Sequence, residues 1–172
     1  FQLIAAMNPC RCGYFGQVGE ECNKAPRCAE DYQSKLSGPL LDRIDLQVEV
    51  PPLSIDQLSA APAGESSAVV AERVAVARDI QLTRFARLDA PEKMRLNAHA
   101  DGKILEAIGK MDETAEALMK NAAAKLKLSA RSWFRMLRVA RTIADLDGAG
   151  EVIQSRHVAE ALSYRRLRLS DL

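Results

Sequence analysis

Four cysteines fall close together, as Cys10-x-Cys12, then Cys22 after nine intervening residues and Cys28 after five more. Four thiolates in one loop could surround a tetrahedral zinc ion, which would give a fold to a loop with little apolar content. The spacing departs from the paired CxxC pattern, so two other readings stay open: reduced thiols with no joint role, or a disulfide in an oxidising medium. Asn8 follows an apolar run, Phe1 to Ala6. A polar amide there sits at the carboxyl end of a buried strand, where open α/β sheets place ligands; otherwise it shapes the turn before Pro9. Arg43, in Leu40-Leu41-Asp42-Arg43-Ile44-Asp45, is flanked by carboxylates. It is a local ion-pair partner or an outward phosphate ligand, and spacing alone favours the ion pair.

A further set of cations, Arg131, Arg135, Arg138 and Arg141, lies on one expected helix. The first three share a face opposite Trp133 and Leu137, which usually means solvent. Arg131 differs because it falls in the first turn, where the helix dipole disfavours a cation unless an anion is near. A phosphate-cradling GxxxxGK[ST] loop is absent: Lys103 and Lys110 follow glycines, but Asn97 and Ile104 stand where the first glycine belongs. No apolar run ends in a paired Asp-Glu for magnesium. Alone, this chain is not expected to bind and hydrolyse a nucleotide as P-loop proteins do.

These residues need elements to hold them. Phe1 to Ala6 reads as a buried strand stopped by Met7-Asn8-Pro9, and Asp45 to Val50 as a strand with one apolar face, ended by Pro51-Pro52. Residues 10–28 read as an irregular loop, and Ala29 to Leu36 as a short helix closed by Ser37-Gly38-Pro39. Ser59 to Ser67 is small, polar and Pro/Gly-containing, the composition of a linker. Beyond it the period turns helical. Val70, Val74, Ala77, Ile80, Phe85 and Leu88 form one stripe. Asp101 caps a helix to Gly109, Asp112 one to Leu126, Ser129 one from Ala130 to Leu146, and Ser155 one to Leu162.

The chain has 172 residues, 48% apolar and 5% aromatic, enough for one or two domains that bury roughly 70% of the unfolded surface. A net charge of +1 excludes a strongly basic nucleic-acid binder or an acidic tail, but the two halves differ. Residues 1–65 carry 5 basic and 9 acidic groups, a net of −4; residues 66–172 carry 19 and 14, a net of +5. A polyanion would prefer the second half. No apolar run reaches the ~20 residues of a membrane span. The chain opens without an initiator Met or a charged signal region, so the expectation is a cytoplasmic piece of a longer protein.

Three segments, in order, resemble the magnesium-chelatase-like AAA+ ATPases of the ComM/YifB family: Ala5 to Tyr14 (AAMNPCRCGY), Leu36 to Pro51 (LSGPLLDRIDLQVEVP) and Leu128 to Leu146 (LSARSWFRMLRVARTIADL). The resemblance implies an α/β fragment, the last strands of a P-loop AAA+ core, followed by a mainly α-helical lid bundle. Residues 1–58 would end the core, 59–67 would link, and 68–172 would form the lid. It implies sensor 1 at Asn8, an arginine finger reaching a neighbouring subunit at Arg43, and sensor 2 at Arg131. ATP and Mg2+ would be the cofactors of the full-length protein, with the P-loop and the magnesium-binding acid before Phe1. Many family members carry a cysteine loop after sensor 1, often with a closer second pair than Cys22 and Cys28, so Zn2+ at Cys10, Cys12, Cys22 and Cys28 is the implied metal. The implied partners are further copies of the chain, in a ring of six, and DNA, with no membrane; hydrolysis would drive DNA remodelling by branch migration in natural transformation. The alternatives are the motor subunit of a metal chelatase and a non-enzymatic DNA-binding helical module.

Overall fold

Ser129 accepts a hydrogen bond at its Oγ from the Ser132 N–H (3.2 Å), and the helix it caps runs over Ala130–Leu146. That is the helix expected from the cap, the apolar stripe and the glycines beyond. The computed structural model describes residues 2–15, 23–51, 53 and 64–165. Its helices are α1 (Arg27–Gln33), α2 (Gly38–Leu41), α3 (Ser67–Arg87), α4 (Gly102–Ile108), α5 (Glu113–Lys125), α6 (Ala130–Leu146) and α7 (Ser155–Ser163), with a 3₁₀ turn at Asn97–His99. The chain divides into two compact units. One comprises Phe1–Ile44, Glu49–Ser59 and Leu167–Leu172; the other comprises Asp45–Val48 and Ala60–Arg166.

The second unit is a helical bundle with a continuous core. Phe85 from α3, Ile108 from α4, Met119 from α5, Leu137 from α6 and Val158 from α7 are all buried, together with Ile153 before α7. Gly109, just past α4, is there because nothing larger fits: a Cβ would lie 2.6 Å from Leu137 Cδ2 and 2.8 Å from the Leu105 carbonyl. Asp112 caps α5 by accepting from the Ala115 N–H at 2.7 Å. Two expected caps differ. Asp101 precedes α4 without a side-chain bond, and the residue before α7 is Gln154 rather than Ser155. Gln154 forms a capping box in which its own N–H donates to His157 Nδ1 at 3.0 Å. The stripe of α3 is only half used: Ala77 and Phe85 are buried, whereas Val70 and Val74 are exposed.

The first unit departs further from expectation. Among the described residues there is no strand; the one β-bridge is an isolated parallel pair, Met111 with Ile153, in the bundle. Residues 2–8 and 46–51 form no ladder, and Ile4, Val48 and Val50 are 87%, 68% and 84% exposed. A strand needs neighbours for its N–H and C=O groups and cover for its apolar face, and these segments receive neither from the described residues. Among the described residues the chain is mainly helical, and they do not show the expected α/β core fragment. The expected helix at Ala29 to Leu36 begins two residues earlier, at Arg27, and ends at Gln33. Gly38-Pro39, expected to break structure, instead starts α2, with Ser37 Oγ accepting from the Leu40 N–H at 3.3 Å. Proline suits that first turn because its missing N–H would have had no helical partner. Most of the linker expected at 59–67 lies outside the described residues, as do residues 166–172 of the expected lid; α3 already begins at Ser67.

Candidate functional site

In the first unit, Pro9 follows Asn8, and its carbonyl accepts from Gln33 Nε2 on α1 at 2.9 Å. Asn8 itself is exposed. The chain then turns tightly: the Gly13 N–H donates to the Cys10 carbonyl at 3.2 Å, and Gly13 takes φ +86°, a value a side chain would resist. This turn lays Cys10 Sγ 3.1 Å from Cys12 Sγ. Cys28 arrives from the first turn of α1, and the three sulfurs lie within 4.8 Å of one another. Cys10 is wholly buried, Cys28 partly, and Cys12 is exposed. Around a tetrahedral zinc, with Zn–S near 2.3 Å, sulfurs stand roughly 3.8 Å apart, so these three converge as soft donors for such an ion would. Cys22, the expected fourth ligand, lies outside the described residues.

Arg43 stands just after α2 and is exposed; its Nη1 donates to the Pro39 carbonyl at 2.9 Å, so the guanidinium braces its own turn. The capped, proline-containing turn holds the backbone that presents it.

The helix arginines, in the second unit, are not a solvated row. Arg135 pairs with Asp45 at 2.6 Å, and Arg138 Nε donates to the Ala100 carbonyl at 2.8 Å. Arg141 has no exposed surface at all. Its Nε donates to Asp145 Oδ1 (3.1 Å), Nη1 to the Glu151 carbonyl (2.8 Å) and Nη2 to the Gly150 carbonyl (2.7 Å). Burial pushes the Arg141 guanidinium down from its ordinary value, with the Asp145 carboxylate opposing that shift. Arg84 of α3 grips the same carboxylate with both terminal nitrogens, Nη1 at 3.0 Å from Oδ2 and Nη2 on Oδ1. Asn97 completes the cluster by donating from Nδ2 to Asp145 Oδ2 (2.8 Å) and to Thr142 Oγ1 (3.1 Å), and from its backbone to Gln81 Oε1 (3.2 Å).

Charge on a helix defaults to solvent in sequence reasoning, so this network escapes it. A signal was present: Arg141 and Asp145 are four apart, and both fall on the stripe of Leu137, Ala140 and Ala144. Opposite charges on the apolar face of an amphipathic helix point to a buried pair. Arg131, by contrast, is exposed in the first turn of α6, and no hydrogen bond or ion pair engages it among the described residues. Beside it, Ser132 is buried, and its Oγ accepts from Arg165 Nη2 at 2.7 Å. Thus the structure gathers Cys10, Cys12 and Cys28, and among the described residues Arg131 lacks the partners that engage the three arginines after it.

Residues 64–165 match the family described as magnesium chelatase, subunit ChlI C-terminal, and residues 1–58 match magnesium chelatase, subunit ChlI. Competence protein ComM of Haemophilus influenzae is 39% identical over 168 residues, covering 97% of this chain and 31% of the relative. Protein YifB of Escherichia coli is 38% identical over 169 residues, and its counterpart in Salmonella typhimurium 38% over 168, each covering 97% of this chain and 31% of the relative. The chain spans about a third of the length of these curated relatives. No described helix is long and apolar enough to cross a membrane.

Proposed function

Because this chain belongs to the magnesium-chelatase-like ComM/YifB family, we propose that it is the carboxyl-terminal part of an AAA+ ATPase. Residues 1–58 complete the α/β nucleotide domain once the rest of that sheet is present, 59–67 link, and 68–172 form the lid. The observation that carries this reading is Arg131. Three of the four α6 arginines are engaged within the bundle, and the one without a partner among the described residues sits where the helix dipole makes a cation unfavourable. An incoming phosphate removes that penalty and is drawn to the same helix end.

In this reading Arg131 holds the γ-phosphate of ATP from the lid as sensor 2. Asn8 orients the attacking water as sensor 1. Arg43 crosses to the neighbouring subunit's nucleotide, in a ring of six. Mg2+ bound with ATP supplies charge neutralisation and is held by residues outside this chain; Zn2+ at Cys10, Cys12 and Cys28, with Cys22, would be structural. The work done is DNA remodelling by branch migration during transformation, supported by the +5 net charge of residues 66–172 and by a relative named a competence protein. The family description also favours a second reading, a chelatase motor driving magnesium into a porphyrin. Turnover stimulated by branched DNA and indifferent to porphyrin separates the two.

The test uses the full-length protein. Arg43→Ala should leave ATP binding nearly intact while turnover falls by about 10³–10⁵, since an arginine finger acts on charge that develops in the transition state. Arg43→Ala subunits mixed with P-loop-disabled subunits should regain part of the activity, because some interfaces then pair an intact P-loop with an intact Arg43. No recovery in rings shown to be mixed would return Arg43 to a purely structural role.

A further inference from the structure

Cys10 and Cys12 take the first and third positions of one tight turn, closed by the Gly13 N–H on the Cys10 carbonyl at 3.2 Å. That turn sets their sulfurs 3.1 Å apart, closer than the roughly 3.8 Å between sulfurs that share a tetrahedral zinc. Their surroundings differ. Cys10 has no exposed surface, whereas Cys12 is exposed to solvent, and both are thiols in the structure. The turn is fixed on either side of the pair, by Gln33 Nε2 on the Pro9 carbonyl at 2.9 Å and by Gly13 at φ +86°.

A thiol is oxidised where an oxidant can reach it, and its sulfenic acid goes on to a disulfide where a second thiol stands within reach. Cys12 meets the first condition and Cys10 the second. The two sulfurs need to approach by only about 1 Å to reach the ~2.05 Å of a disulfide bond. No long loop has to close, because the residues are two apart and the turn has already folded one back on the other. Cys28, the third sulfur of the group, comes instead from α1.

We propose that Cys10 and Cys12 form a reversible disulfide, a modification site in which Cys12 takes the oxidant and Cys10 resolves it. With a peroxide as oxidant, the Cys12 sulfur attacks the O–O bond and becomes a sulfenic acid. The other peroxide oxygen leaves as water with the thiol proton. The Cys10 sulfur then attacks the Cys12 sulfur, the S–S bond forms, and the sulfenic oxygen leaves as a second water with the Cys10 proton. Two electrons pass from the sulfurs to the peroxide, and a dithiol reductant reverses the change by exchange. The site stands on the thiols alone and is independent of the ATPase reading. It does set a choice, since sulfurs bonded to each other are no longer thiolate ligands. Oxidation thus withdraws two of the three converging donors from any shared metal ion.

The experiment uses the reduced 172-residue chain and its Cys22→Ser variant, treated with hydrogen peroxide, blocked with N-ethylmaleimide and digested with trypsin without reductant. Cleavage after Arg11, Lys24, Arg27 and Lys35 puts Cys10, Cys12 and Cys28 on separate peptides, 1–11, 12–24 and 28–35. In both proteins peptide 1–11 should be joined to 12–24, and dithiothreitol should part them and restore the thiols. In the variant two thiols should be lost and peptide 28–35 should carry the maleimide. The variant identifies the bond, because Cys12 is then the sole cysteine of peptide 12–24. Joined peptides in the parent but not in the variant would assign the bond to Cys22 and overturn the proposal. So would peptide 28–35 in the variant's linkage, an unchanged thiol count, or oxidation that dithiothreitol does not reverse.

Discussion

Asp145→Asn is the sharpest probe of what holds the helical bundle together. The carboxylate is fully buried and faces two guanidiniums, those of Arg84 and Arg141, whose side chains are 7% and 0% exposed. It also accepts from Asn97 Nδ2 at 2.8 Å. Asparagine preserves the volume but removes the carboxylate that is hydrogen-bonded to both buried cations. Losing one partner of a buried ion pair costs about 3–5 kcal/mol, because the remaining charge stays desolvated and unpaired. The bundle is a domain of ordinary size, for which the whole stability is about 5–15 kcal/mol. With each kcal/mol worth about 4–8 °C in a domain of that size, the midpoint should fall by about 12–40 °C. Urea and thermal unfolding followed by fluorescence report this directly, because Trp133 is the sole tryptophan and packs on the core. Replacing Arg84, Asp145 and Arg141 together by apolar residues should cost less than Asp145→Asn alone, since no charge is then stranded. Arg87→Ala on the same α3 helix is the control. It breaks an Arg87–Glu151 pair that is 62% and 64% exposed and should hardly move the midpoint. A loss below about 1 kcal/mol for Asp145→Asn would refute the argument that this carboxylate balances the buried arginines.

Asp112 is held below the usual carboxylate range by the Thr114 hydroxyl first and then by the Ala115 N–H. A depressed folded value means that its contribution is present above the ordinary carboxylate range and fades as pH falls through the folded value, so Asp112→Ala should flatten the acid limb of the stability–pH curve and leave the neutral region parallel. Protein prepared without chelator should carry about one zinc per chain, and well under one by metal analysis would favour free thiols at Cys10, Cys12 and Cys28. The 172-residue chain alone should show no ATP turnover, because it has no GxxxxGK[ST] loop. Turnover that survives rigorous purification would contradict that.

How far the sequence reveals this protein depends on whether an element carries its own instructions. α6 does: a serine cap, a stripe at 3.6-residue spacing and two following glycines define it locally, and it spans Ala130–Leu146 as they indicate. The same holds for α5 and its Asp112 cap. Extended segments do not, because a strand exists only through its neighbours; the apolar runs around Ile4 and Val48 remain exposed chain here. Arg141 and Asp145 were legible as a helix-spaced pair, but which way they faced depended on Arg84 arriving from a helix 57 residues earlier, counting from Arg141. The valines at the start of α3 show the opposite error, since periodicity marks a face without saying what covers it. The candidate site was legible mainly through family resemblance. Spacing alone favoured an ion pair for Arg43, whereas its bond to Pro39 is to a neutral backbone carbonyl.

The two units do not stand on the same footing, and that bears on what the cysteines are for. Phe85, Ile108, Met119, Ile153 and Val158 give the helical unit a core of large apolar side chains, locked by the Asp145 network. In the other unit, the buried residues among those described are Cys10 and Ala29, which together remove little apolar surface from water. Burial of that size cannot offset the ordering of a loop at about 1–2 kcal/mol per residue. The turn from Pro9 to Gly13 is held by the Gln33 bond to the Pro9 carbonyl and the Gly13 bond to the Cys10 carbonyl, and the three thiols converging on it offer a stronger tie, since structural zinc contributes on the order of 10 kcal/mol. Asn8 lies two residues before Cys10, so whatever orders the thiols also sets the amide proposed to orient water. On the reading proposed above, an ion held by these thiols would fix the place of Asn8 as well as that of the loop.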